Sequence, residues 1–139
     1  METGLKKLPA GSGGDDLPEA AVNDAEAAAM FRAALNLFRL WGTTDEQAAT
    51  LLDVPLRTFR RWKMQGSARV SRDGKARLAN LMGIHKALRL MFREPQRGYA
   101  WVKAANTAFA GQSALEVMLG GELTDLMRVR RYLDAERGW

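Results

Sequence analysis

TDEQAATLLDVPLRTFRRWK, residues Thr44–Lys63, holds two short helical patterns divided by one proline step. Thr44 followed by Gln47 is a T-x-x-Q capping box, which predicts a helix start. Ala48, Ala49, Leu51 and Leu52 supply a small apolar inner face. Asp53-Val54-Pro55 ends that helix and starts another, because proline disfavours helical geometry in the residue before it and suits a first turn. In the second helix Phe59 and Trp62 sit three apart and face inward, a spacing that signifies core packing rather than base stacking. Arg57, Thr58, Arg60, Arg61 and Lys63 are left to solvent or to a phosphate backbone. Two compact helices so closely spaced form a helix-turn-helix, in which one helix crosses the DNA backbone and the other enters the major groove.

Charge supports this reading. Residues 1–29 are acidic, with Lys6 and Lys7 opposed by Glu2, Asp15, Asp16, Glu19, Asp24 and Glu26. Between Arg57 and Arg97, twelve arginines and lysines face only Asp73 and Glu94. A basic run is often just a solvated face, but its coincidence with a helix-turn-helix gives it the form of an electrostatic footprint for nucleic acid. The chain of 139 residues is 47% hydrophobic, enough for a core in one domain or two small helical ones sharing it. With no cysteine there is no disulfide framework and no thiolate metal site. No apolar run approaches the roughly 20 residues of a membrane span, and no signal-peptide pattern stands at the N-terminus, so a cytoplasmic protein is expected.

Three parts are expected. Residues 1–22, with Gly11-Ser12-Gly13-Gly14 and two prolines, read as a mobile acidic tail. Residues 23–70 hold the helix-turn-helix, preceded by a helix that opens at Asn23 with Glu26, runs through Phe31 and Phe38 and stops near Trp41-Gly42. Residues 71–139 form a helical body. Ser71 caps a long amphipathic helix whose stripe is Leu78, Leu81, His85, Leu88 and Phe92, ended by Glu94-Pro95. A short helix around Tyr99–Val102, a turn at Asn106–Gly111, a capped helix from Ser113 with Glu116 to Gly120-Gly121, and a last helix from Leu123 follow. Asn106 is expected to shape its turn through side-chain-to-backbone bonds, asparagine tolerating left-handed geometry. His85, alone in an apolar stripe, is expected to be a hydrogen-bonded core or interface residue, since no ligand partner lies at metal spacing. The predicted fold is all-α.

The order and spacing of the C-terminal residues carry a resemblance. Arg72–Trp139 resembles the toxin-binding region of the Xre/ParS-type antitoxins: Ala87-Leu88 with Phe92, then Trp101, then Asn106-x-x-Phe109-x-Gly111-x-Ser113, then Leu115 and Gly120. Val129-Arg130-x-Tyr132-Leu133 and Arg137-Gly138-Trp139 complete the pattern, and Arg57-Thr58-Phe59-x-x-Trp62 is similar to the helix-turn-helix that precedes this region in the same family. The resemblance covers roughly residues 30 to 139. One departure is Ala114, where a proline commonly follows the serine. The resemblance implies a type II antitoxin that binds a protein toxin, usually a RES-domain enzyme that depletes NAD. It also implies repression of the operon's own promoter and self-association through the helical body.

Candidate sites follow. Arg57 and Thr58, near the start of the recognition helix, are expected to approach base edges, and Arg60, Arg61 and Lys63 to contact phosphate. Arg130, Arg137, Gly138 and Trp139 are the candidate toxin contacts, since tryptophan and arginine are enriched among interface hot spots and a terminal aromatic enters a partner's cleft without steric closure. Positive charge near a helix C-terminus accounts for some of Arg128, Arg130, Arg131 and Arg137 in any case. A homodimer is expected, because one short helix-turn-helix makes too few contacts for tight operator binding. No glycine-rich phosphate loop, nucleophile–histidine pairing or carboxylate pair stands out, so no enzyme, cofactor or metal is expected. Two other readings remain: a stand-alone regulator whose C-terminal half only dimerises, and an interaction or localisation adaptor on a degenerate helix-turn-helix.

Overall fold

The computed structural model describes residues 22–138; the acidic tail before Val22, and Trp139, lie outside them. The described residues form seven α-helices and one short 3-10 turn. Helix α1 (Asp24–Trp41) starts where expected: the Asn23 side chain accepts the Glu26 N–H at 2.8 Å, and Glu26 accepts the Asn23 N–H at 3.0 Å. It stops at Gly42, whose φ of 69° only glycine adopts freely. The reciprocal box of Thr44 and Gln47 opens α2 (Asp45–Leu52), and Asp53 in left-handed geometry closes it. In α3 (Leu56–Gln65) Pro55 occupies the capping position, one residue ahead of the first turn where it was expected.

Ser71 caps α4 (Arg72–Met91) by accepting the Gly74 N–H at 3.0 Å. This helix ends at Phe92, sooner than Glu94-Pro95 alone requires, and Pro95 instead supplies the first turn of α5 (Pro95–Lys103). A 3-10 turn (Thr107–Phe109) follows, then α6 (Ala114–Met118), opened by the Ser113–Glu116 box, and α7 (Leu123–Glu136). Asn106 does bond its own turn, accepting the Ala108 N–H, but its backbone is extended. The left-handed positions are Ala110 and Gly111.

Helix α4 lies at the centre, packed against α1, α2, α5 and α7. Its buried face is broader than a single stripe and takes in Ile84 and Ala87 beside Leu78, Leu81 and Leu88. One apolar cluster runs from Phe31 and Leu37 of α1 through α4 to Leu126, Val129 and Leu133 of α7. Each large apolar side chain buried this way contributes about 1.5–3 kcal/mol. His85 departs from expectation. Its Nδ1 is buried without a hydrogen-bond partner among the described residues, and burial, reinforced by nearby Arg89, holds its pKa below the ordinary 6.5. The ring is therefore neutral at pH 7.

Candidate functional site

Helix α3 is held by its inner face. Phe59 and Trp62 are buried, and Phe31 meets both edge-on at ring-centroid distances of 6.3 and 5.8 Å, while Phe38 meets Phe59 at 6.2 Å. With 100° between successive residues, burying Phe59 and Trp62 turns Arg57, Arg60, Arg61 and Met64 outward along one line. These four side chains, with Pro55 and Leu56, edge a shallow concavity. Arg57, Arg60, Arg61 and Lys63 are exposed, as the sequence requires. Thr58 is not: it is half-buried, because its position, about 100° round from Arg57, falls toward the Trp62 side of the helix.

The exposed cations divide into two sets. Lys63 Nζ lies 2.9 Å from Asp45 Oδ1, and Arg60 Nε lies 3.4 Å from Asp45 Oδ2. The Lys63 ammonium holds the Asp45 carboxyl below its usual range, Arg60 adding to the effect and partial burial opposing it. Asp45 opens α2, where the positive end of the helix dipole also favours a carboxylate. Arg57 and Arg61 have no ion pair among the described residues. Pairs this exposed contribute about 0–1 kcal/mol, so a phosphate can take over either of the Asp45-bound cations at small cost.

The second region is built on α7. Burial of Leu126, Val129 and Leu133 against α4 places Arg130 half-buried across that helix, with Nη1 donating to the Ala79 carbonyl at 3.5 Å. Gly83 makes this crossing possible, since a methyl there would overlap the Arg130 guanidinium. Arg130 and Arg137 lie seven residues apart on the same side of α7 and share a cleft of about 380 Å³ with Gly83, Lys86 and Asp134. Arg137 Nη1 lies 3.3 Å from Asp134 Oδ1, and Gly138 beyond it has a φ of 82°. Trp139 lies outside the described residues, so Arg130, Arg137 and Gly138 are the placed members of the candidate set.

On the other flank of α7 is an aromatic cluster packed against the core. Trp101 of α5 stacks on Tyr132 of α7 at 6.2 Å and 9°, and Phe109 from the 3-10 turn meets them edge-on at 6.3 and 5.2 Å. The Arg128 guanidinium lies 5.4 Å from the Phe109 ring centroid, so this arginine covers an aromatic face rather than the helix end. Sequence reasoning missed Lys86, Gly83, Asp45 and Met64. Only Met64 had a local signal, being the apolar residue seven positions after Arg57 on an otherwise basic face.

Comparison with known proteins agrees with this arrangement. Residues 20–83 match the model of the antitoxin Xre-like helix-turn-helix domain, and residues 87–138 match that of the antitoxin Xre/MbcA/ParS C-terminal toxin-binding domain. The chain is also similar to y4oB, an uncharacterised protein of Sinorhizobium fredii, at 40% identity over 115 residues, spanning 82% of this chain and 85% of that protein. The helix-turn-helix match spans α1, α2 and α3, and the toxin-binding match includes α7. The chain belongs to the Xre/MbcA/ParS family of antitoxins.

Proposed function

We propose that this antitoxin neutralises a RES-type, NAD-depleting toxin by obstructing its active site, and represses its own operon as a homodimer. The observation that carries the DNA half is the outer face of α3, where Arg57 and Arg61 have no ion pair among the described residues and the exposed cations Arg60 and Lys63 are held by the half-buried carboxylate of Asp45. Cations so placed are free to exchange small counterions for phosphates, which makes operator binding steeply salt-dependent. A dimer sets two such helices on half-sites about one DNA turn apart. The toxin half rests on the α4–α7 cleft, where Lys86, Arg130 and Arg137 outnumber Asp134. Arginine and tryptophan are enriched among interface hot spots, so the segment ending in Arg137-Gly138-Trp139 supplies residue types suited to an obstructing contact.

The test uses the purified product of the adjacent reading frame and its consumption of NAD. The full chain is expected to stop that consumption. A form lacking residues 137–139 is expected to inhibit at least about thirtyfold less well, as loss of a hot-spot contact would. Undiminished inhibition by the shortened form, or a neighbour that leaves NAD untouched, contradicts the proposal.

A further inference from the structure

Met64 is 90% exposed; among the described residues it and Leu90 are the exposed large hydrophobics. An apolar side chain in water on an α3 face otherwise made of arginine is not explained by folding, since the inner face already supplies Phe59 and Trp62 to the core. Arg57, Arg60, Arg61 and Met64 stand at i, i+3, i+4 and i+7, the spacing at which a recognition helix presents successive side chains to base edges in the major groove. The three guanidiniums around Met64 exclude a cationic occupant and favour a polyanion. On a polyanionic duplex, the apolar group exposed in the major groove is the thymine 5-methyl, the one group that tells T from uracil.

We propose that Met64 is a specificity-determining residue that packs on a thymine methyl in the operator, flanked by Arg57 and Arg61. The inference rests on the DNA-binding reading of α3 and assigns it a base. Thioether side chains are flexible and polarisable and adapt to such a contact without demanding one fixed geometry. The arginines supply affinity and hydrogen-bonded readout, and Met64 adds discrimination by shape and apolarity. Thr58, from which a base contact is also expected, is half-buried, whereas Met64 is exposed.

The experiment measures binding of the full chain to duplex DNA from upstream of its own reading frame. Each thymine is replaced in turn by deoxyuridine, which removes the 5-methyl and nothing else. The wild-type chain is expected to lose about threefold to fivefold in affinity at one thymine per half-site. Met64→Ala is expected to bind the thymine and uracil duplexes equally there. Because Met64 is so exposed, the variant keeps its fold, checked by an unchanged unfolding midpoint. Wild-type binding that is indifferent to every replacement overturns the proposal, as does a Met64→Ala protein that remains sensitive at the same thymine. A Met64→Ala protein whose oligomeric state shifts while its thymine preference persists assigns the side chain to a protein contact and overturns it too. Absence of wild-type binding to any of these duplexes refutes the DNA-binding reading itself, a result separate from the others.

Discussion

Arg77 is a charged residue at 4% exposure, and its surroundings explain how it is tolerated. Its Nε bonds Asp73 at 2.7 Å one turn back on α4, its Nη1 donates to the Leu51 carbonyl at 3.2 Å, and Asp53 lies 4.0 Å from Nη2. The guanidinium thus fastens the last turn of α2, and the turn that leads into the recognition helix, to α4. Both carboxylates are substantially exposed, so truncating Arg77 leaves them hydrated and strands chiefly the carbonyl of Leu51. Arg77→Ala is therefore expected to destabilise the protein by about 1–3 kcal/mol in urea unfolding, and Asp73→Asn by much less. Equal losses from the two would mean that the ion pair, rather than the buried hydrogen bond, is what matters. The Asp73 pair is local in the sequence, but nothing marks Arg77 as buried: it sits in a basic run that reads as a solvated face, and its partner at Leu51 is distant in the chain.

At the level of elements, the helices were legible because their ends are local chemistry. Asn23 with Glu26, Thr44 with Gln47 and Ser113 with Glu116 each lie three residues apart, and each pair forms its reciprocal bonds. The inward face of α3 was legible for the same reason. What escaped was pairing between elements: Asp45 with Lys63, and Arg130 across Gly83, join residues that only the packed helices bring together. The α2–α3 pair carries a consequence for binding. On the proposed DNA-binding reading, Asp45, which holds Lys63 and Arg60, competes with phosphate for both cations. Asp45→Asn removes the competitor and one negative charge facing the DNA, so operator affinity is expected to rise about threefold to tenfold at moderate salt. A fall in affinity would show instead that the carboxylate orients the two cations for their phosphates. The pair persists at neutral pH because the Asp45 carboxyl titrates below its ordinary value of 3.8; its contribution is lost only as acid passes through that lowered pKa.

At the scale of the whole molecule, one helix serves both jobs. Helix α4 packs against α1 and α2 on the helix-turn-helix side and against α5 and α7 on the toxin-binding side, and the apolar cluster is continuous across it. None of the described helices is long and apolar enough to cross a membrane. The all-α order was legible in the helical periodicity and capping residues, and the family in a longer spaced pattern whose Trp101, Phe109 and Tyr132 the fold gathers into one aromatic cluster. The α4–α7 cleft was not legible, because Lys86 and Gly83 come from α4 while Arg130 and Arg137 come from α7 and its C-terminal cap. On the proposed reading, operator binding and toxin neutralisation use separate faces of this one core. Arg57→Ala together with Arg61→Ala tests it most directly, since neither side chain has an ion pair among the described residues and the core-facing residues of α3 are untouched. Operator affinity and toxin inhibition should be measured side by side on the same preparation. Operator affinity is expected to fall about thirtyfold or more with inhibition unchanged; joint loss of both activities, or operator binding that survives intact, would rule out separate faces.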